Sequence, residues 1–294
     1  MTQFLSFRSL IGFVSIAVAM IALFGASPLK AFSSTLQRAG FDWYNSQKDV
    51  TSPIKTNAAT KAPVYFFSHG GPDVQYNTKH PVYPFLQQIG REITQKVKPK
   101  ATLLSFMTST GSPITFIKLN IRTRVAPELA SKIMVMLSEA GIQSYGMERG
   151  LDHGVFSGFH VAFNPETNPL NVPLVQVSLF KNEDPHAHYA LGRAVSALRD
   201  EGIVIIGAGM SVHNLRDMYH MFEGNTEPLP YVVSFDNALK EAVEADPAIR
   251  EEKMAAIFFI AAGAASEDWG KQIWTLHEGS FGWSQFRFGD VPSS

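Results

Sequence analysis

Histidines are the residues with which this chain can do chemistry, because its 294 residues include nine histidines and no cysteine. Without thiolates, any metal ion must be held by His, Asp or Glu. His69 follows the apolar run 62–67 and stands in a glycine turn, residues 68–72 (SHGGP). An imidazole there can ligate a metal through one ring nitrogen while the backbone orients the other. A loop histidine bound only to local backbone explains the same residues equally well.

Two further histidines are candidates for proton transfer or substrate contact. His213 follows the apolar run 203–206, and an imidazole at that place can move protons near physiological pH. A core-edge histidine paired with Asn214 or a carbonyl is the alternative. His153 follows Asp152, whose carboxylate can orient the ring toward an anionic substrate. An Asx turn with a solvated histidine explains this pair nearly as well.

The remaining histidines are weaker candidates. His186 and His188 stand beside Glu183 and Asp184, which resembles a metal cluster. Residues two apart on a helix do not face each other, however, so we favour separate roles for them. The other four are interpreted as isolated surface or packing residues, and they are His80, His160, His220 and His277.

Alternating strand and helix patterns predict the elements that position these residues. Strands are predicted at 62–67, 101–106, 172–180 and 203–206, followed by a loop at 207–214. Helices are predicted at 83–96, 126–140 and 184–202, the last with Asp184 as N-cap and Pro185 as first residue. The pattern predicts an α/β fold, a single domain with a mixed central sheet flanked by helices. Ligands of such folds lie at the carboxyl ends of strands, where His69 and His213 fall.

Composition narrows the class of partner. The chain is 45% hydrophobic and 17% charged with a formal net charge of −1, so it can bury one sizeable core and carries no strong field of either sign. Nucleic acid is therefore excluded as the expected partner, and a small molecule is favoured.

The N-terminal region is predicted to be separate from this domain. Residues 10–26 contain no charge and follow Arg8, and they fall just short of the roughly 20 residues that span a bilayer. We therefore expect a membrane anchor or secretory signal in residues 1–30, a polar linker at 31–61 and the catalytic domain at 62–289. If residues 10–26 instead form a buried core helix, we expect the protein in the cytoplasm.

Five motifs occur in the order found in one family. They are residues 68–72 (SHGGP), 149–155 (RGLDHGV), 172–179 (VPLVQVSL), 198–202 (LRDEG) and 212–216 (VHNLR). Over residues 62–289 the chain resembles the class III extradiol ring-cleavage dioxygenases of the DOPA 4,5-dioxygenase-like type. The resemblance implies opening of a catechol-type ring with O2 at a single non-haem Fe(2+) or Zn(2+) ion. It also implies that His69 is a metal ligand, that His213 is the acid/base residue and that His153 lies near the substrate.

Two departures from the family pattern concern the metal. The family carries Ser-Ala-His-Trp, with its second ligand, where this chain has Ser105-Phe106-Met107. The third ligand is a histidine near the place of Lys253, and no histidine lies between His220 and His277. By motif, one ligand of three remains, which predicts weak metal binding.

These departures leave several interpretations open. In the first, the chain is an active enzyme in which other residues, such as Glu251, Glu252 or His277, replace the missing ligands. Alternatively, the chain is a non-catalytic family member that binds an aromatic small molecule. A third interpretation, which we favour, is that coding segments are missing near 106–111 and 250–257. A membrane-tethered metal-dependent hydrolase also remains open, although nothing in the sequence favours it.

Overall fold

The computed structural model describes residues 61–106, 126–146, 153–180, 184–222, 224–253 and 259–293. These residues form nine strands: β1 Val64–Ser68, β2 Ala101–Phe106, β3 Leu174–Ser178, β4 Ile203–Gly209, β5 Val212–His213, β6 Gly270–Trp274, β7 His277–Glu278, β8 Phe281–Gly282 and β9 Gln285–Phe288. Their α-helices are α1 Val82–Arg91, α2 Pro127–Glu139, α3 His153–Ala162, α4 Pro185–Val195, α5 Tyr219–Phe222, α6 Pro230–Val243, α7 Arg250–Lys253 and α8 Phe259–Ala265.

The central sheet has six strands in the order β3-β2-β4-β1-β9-β6. The first four are parallel, whereas β9 is antiparallel to both β1 and β6. The predicted α/β fold with a mixed central sheet is therefore confirmed. A separate three-stranded sheet has the order β5-β8-β7 and holds His213 opposite Phe281.

Alternating side chains of the buried strands face two cores. Along β1, Val64 and Phe66 face the core that holds buried residues of α2, α4, α6 and α8. Tyr65 and Phe67 face the opposite core, which holds residues of α1 and α3. Since both faces of the sheet are covered by helices, its parallel strands read as continuous apolar runs in the sequence.

Most predicted elements are found close to their predicted bounds. Asp184 caps α4 as predicted, because its carboxylate accepts hydrogen bonds from the amides of His186 and Ala187 at 2.9 and 3.3 Å. Gly202, with φ of 80°, ends the 3-10 turn Ser196–Glu201 that follows α4. Such left-handed backbone favours glycine.

Two predicted elements were wrong in part. The helix predicted at 83–96 ends as an α-helix at Arg91 and continues as a π-helical turn, Glu92–Val97. The carboxylate of Glu92 in this turn binds the hydroxyl of Tyr65 at 2.9 Å and the guanidinium of Arg287 at 3.1 Å. The loop predicted at 207–214 is also shorter than expected, because β4 extends to Gly209 and His213 belongs to β5.

Arg199, in the 198–202 motif, joins three parts of the domain. Its fully buried guanidinium donates to the carbonyl of Ala62 at 2.7 Å and to those of Ala264 and Ala265 at 3.1 and 2.8 Å, and it pairs with Asp268. Hydrogen bonds from a charged donor to the exposed carbonyls at a helix end are stabilising. The motif therefore has a structural role in holding the end of α8 beside the start of β1.

No helix within the described residues is long and apolar enough to cross a membrane. Residues 10–26 lie outside the described residues, so the anchor or signal at 1–30 and the linker at 31–61 stay predictions.

Candidate active site at the carboxyl ends of the parallel strands

His69 directly follows β1 and is held in place from two sides. Its backbone amide donates to the carbonyl of Gly209, the last residue of β4, at 3.0 Å. Its ring is buried, and Nδ1–H donates to the carbonyl of Gly70 at 2.8 Å. That bond fixes the tautomer and turns Nε2 away from the backbone. From α3, Gly158 lies so close that a Cβ there would stand 2.6 Å from the His69 Cβ.

The turn after His69 brings Gly70 into close contact with the ring of Trp283. Gly70 has φ of 69°, and its amide donates to the sulfur of Met210 at 3.0 Å. A Cβ at Gly70 would lie 2.7 Å from Cζ3 of the buried Trp283. Any side chain at this position would therefore clash as well as strain the backbone.

His213 comes four residues after the end of β4, in β5 of the separate three-stranded sheet, and its side chain is exposed. It stands opposite Phe281 in the β5–β8 pair, and the ring of Phe281 packs edge-to-face on Trp283 with centroids 6.4 Å apart. Trp283 in turn covers Gly70, so Phe281 and Trp283 link the β5–β8 pair to the turn after His69. Although His213 is exposed on one side, partial desolvation lowers its pKa from the ordinary 6.5. Its neutral form, the one that accepts a proton, is favoured at physiological pH.

His153 is the first residue of α3, the helix that touches His69 through Gly158. Its side chain lies outside the described part of the structure, as do residues 147–152.

His80 was predicted to be isolated, and that interpretation is wrong. Its Nδ1 accepts from the amide of Val82 at 3.2 Å, so Nε2–H donates to the carboxylate of Glu278 at 3.0 Å. The ring also packs on Trp283 with centroids 4.4 Å apart. The hydrogen bond from His80 holds the pKa of Glu278 below its usual range. His80 and Glu278 thus form a hydrogen-bonded pair, and His80 packs against Trp283, which covers the turn after His69.

His277 was also predicted to be isolated, and it too is paired. Its Nε2 donates to the buried carboxylate of Asp236 at 2.9 Å. The partner lies 41 residues away on α6, so local sequence gave no signal for this pair.

His186 and His188 have separate local roles, as favoured from the sequence. In His188, Nδ1–H donates to the carbonyl of Asp184 at 2.6 Å, and Nε2 accepts from the amide of Phe180 at 2.9 Å. The exposed ring of His186 lies 3.6 Å from the carboxylate of Glu251.

A metal ion at His69 would need further ligands nearby. Among the described residues, no group of three His, Asp or Glu side chains is placed to hold a metal ion. Glu251 and His277, two candidate replacement ligands, instead contact His186 and Asp236. The two expected ligand motifs fall at or next to residues 107–125 and 254–258, which lie outside the described residues. The described side chains thus do not complete a coordination sphere.

Comparison with known proteins gives one consistent class. Residues 108–287 match the model of the catalytic LigB subunit of aromatic ring-opening dioxygenase. Two proteins named 4,5-DOPA dioxygenase extradiol, from Beta vulgaris and Mirabilis jalapa, are 28% and 30% identical over 200 residues, which cover 61% of this chain and 72% of each relative. The crystal structure of an uncharacterized Escherichia coli K12 protein has a TM-score of 0.60 at 19% identity, covering 78% of this chain and 100% of that one. The last comparison supports the fold alone.

Proposed function

This chain belongs to the family of the catalytic LigB subunit of aromatic ring-opening dioxygenases, which are oxidoreductases, and on that premise we propose that its substrates are a catechol-type small molecule and O2. Ring opening beside the two catechol hydroxyls is the reaction. The names of the plant relatives support a DOPA-like catechol. The single observation that carries the proposal is the placement of His69 and His213 beyond the adjacent ends of β1 and β4.

We assign the three candidate residues different tasks. His69 would be the metal-ligating residue, because its buried ring directly follows β1 and is fixed through Nδ1. His213 would accept a proton from a catechol hydroxyl, since its lowered pKa keeps the ring neutral near pH 7. His153, at the start of α3, would lie against the bound catechol.

We further propose that the activity of this chain is impaired. The family reaction uses a single non-haem ion, Fe(2+) or Zn(2+), and two of the motifs that would hold it are absent from the sequence. A lone imidazole competes poorly with water for a metal ion. The described side chains therefore do not fit a tightly held resident ion.

A non-catalytic role in binding an aromatic compound is the second candidate. It is favoured by the lack of any three-ligand group in the part of the chain that the structure describes. The contacts among Phe281, Trp283 and His80 do not depend on a metal ion, so an aromatic binding surface can persist without one.

Metal and catechol binding separate these outcomes. The full chain is loaded anaerobically with Fe(II), exchanged into metal-free buffer and analysed for iron, beside His69→Ala and the exposed control His186→Ala. We expect far less than one iron per chain in all three proteins. Tight stoichiometric iron that only His69→Ala loses would refute impairment. Catechol that quenches tryptophan fluorescence but gives no yellow ring-opened semialdehyde with O2 supports the binding role.

A further inference from the structure

A buried carboxylate lies beneath the candidate active site. Asp236, on α6, is 1% exposed. Its oxygens accept from the hydroxyls of Ser284 at 2.6 Å and Thr275 at 2.9 Å, from Nε2 of His277 at 2.9 Å and from the amide of Gln272 at 3.3 Å. A buried carboxylate is costly unless several donors satisfy it. Here the donors come from the segment 272–277 and from Ser284, which Asp236 ties together.

Ser211 extends this network to the residues just before His213. Its hydroxyl donates to the carbonyl of Gly282 at 2.6 Å, accepts from the amide of Ser284 at 3.0 Å and lies 3.2 Å from the Asp236 carboxylate. β5 has only two residues and pairs with β8 alone. Such a short strand depends on these few bonds for its position.

Ser68 extends the network to the residue just before His69. Its hydroxyl donates to the carbonyl of Ser284 at 2.7 Å and accepts from the amide of Ser211 at 3.0 Å. The side-chain amide of Gln285 bonds both backbone groups of Ser68, accepting at 3.1 Å and donating at 2.6 Å. Ser68, next to His69, is therefore bonded to both Ser211 and Ser284. Ser211, two residues before His213, is bonded to Ser284 as well.

We propose that Asp236 is a positioning residue for the candidate active site, setting through Ser211 and Ser284 where the chain presents His213 and His69. This inference rests on the roles proposed above for those two histidines. Asp236 is placed to act through Ser211 and Ser284 rather than by touching the reacting groups.

The positioning role depends on the charge of Asp236 and not only on its volume. An ionised carboxylate accepts bonds at both oxygens, whereas the amide of an asparagine accepts at one and donates at the other. In Asp236→Asn, donors of Thr275 and His277 would therefore face an NH2 group. The apolar side of α6, formed by Val232, Leu239 and Val243, is unchanged by this substitution. The variant should thus loosen β5 and the β8–β9 segment while keeping the core.

Hydrogen exchange followed by mass spectrometry tests this on the full chain. In Asp236→Asn we expect peptides covering 207–216 and 281–288 to exchange about tenfold faster, the effect of losing one net hydrogen bond of roughly 1.4 kcal/mol. Peptides covering β2 and β3 should be unchanged. Glu241→Gln, which removes a carboxylate from the exposed face of the same helix, is the matched control and should exchange like the native chain.

Two further variants keep the test decisive if Asp236→Asn does not fold. Ser211→Ala removes the link and leaves the carboxylate its other donors, so it should speed exchange at 207–216 and at 281–288, where the amide of Ser284 loses its acceptor. Thr275→Val removes one donor and should have a smaller effect. Native exchange at 207–216 in a folded Asp236→Asn, or in Ser211→Ala, overturns the proposal.

Kinetics add a measurement that a purely structural role would not move. In a preparation that opens catechol, Asp236→Asn should lower kcat by roughly 10²-fold, the order expected for a misplaced reacting group, with little change in KM. Asp236→Glu keeps the charge and should recover part of kcat, and equal losses in both variants overturn the charge argument. If the native chain neither binds nor opens catechol, the proposed function fails, and hydrogen exchange still decides the role of Asp236.

Discussion

His69 and His213 both follow buried parallel strands, yet their environments differ. His69 is buried, and its ring is tied to the turn by its own Nδ1. His213 is exposed on one side and partly desolvated by its neighbours. A fixed ring suits metal ligation, whereas a ring that stays neutral and reaches solvent suits proton transfer.

The pKa of His213 is open to direct measurement. Because desolvation disfavours the imidazolium, we expect the ring to titrate below the ordinary 6.5 in an NMR titration. The ring would then remain deprotonated, and able to act as a base, down to a lower pH than a fully solvated histidine. Phe281→Ala, which admits water beside the ring, should move the midpoint up toward 6.5, and Tyr76→Ala, at a residue 80% exposed, should not. A native midpoint at or above 6.5 contradicts this assignment.

The sequence permitted a prediction for His69 and His213 but not for the partners of His80 and His277. The first two follow apolar runs whose strand character is local information. The carboxylates that bind His80 and His277 lie 198 and 41 residues away. Such pairs depend on how distant elements pack, which one sequence without an alignment does not reveal.

The helices α4 and α8 cross at close range through glycine. A Cβ at Gly192 would lie 2.7 Å from the amide nitrogen of Ala264, and one at Gly263 would lie 3.0 Å from the carbonyl carbon of Tyr189. Because backbone atoms cannot move aside as a flexible side chain can, the two glycines set the distance between these helices.

Gly192→Ala should destabilise the protein although alanine is the better helix former. The propensity gain is about 1 kcal/mol, and overpacking typically costs about 1–3 kcal/mol, so we expect the contact with backbone atoms of α8 to outweigh the gain. Chemical denaturation measures the result. The matched control is Ala190→Gly at an exposed position of the same helix, which should lose about 1 kcal/mol through propensity alone. An unchanged or higher free energy of unfolding in Gly192→Ala would contradict the close crossing.

Elements with strong local patterns were predictable, and short ones were not. The cap at Asp184 and the buried strands carry signals within a few residues. β5, β7 and β8 have two residues each, too few for any periodicity. β6 is partly buried and β9 largely buried, both lie in a region rich in polar residues, and neither was predicted.

The missing ligand motifs lead to a prediction about the gene. The family motifs continue in order on both sides of residues 106–111 and 250–257, so we expect the full-length transcript to encode additional residues at both places. The completed protein should then open catechol with Fe(II) and O2, and His213→Ala should slow that reaction by roughly 10² to 10⁴. A transcript that reproduces this reading frame without further coding sequence would favour the non-catalytic role.

Membrane association through residues 10–26 is a separate proposal. The uncharged run is long enough to direct insertion or export, so we expect the full-length chain in the membrane fraction after alkaline carbonate extraction. Replacing Ile16 and Val18 with Lys should release it, whereas Ile16→Leu should not. An uncleaved native chain found wholly in the soluble fraction would refute this proposal.

The position of β9 bears on how the chain folds during synthesis. This strand lies between β1 and β6 and pairs with β1 more than 200 residues earlier, Val64 standing opposite Phe288. The edge of β1 that faces β9 therefore stays unpaired until residues 285–288 have been synthesised. An uncovered strand edge in an incomplete sheet invites pairing with another chain. Nascent chains of this protein should consequently depend on chaperones until residues 285–288 have left the ribosome.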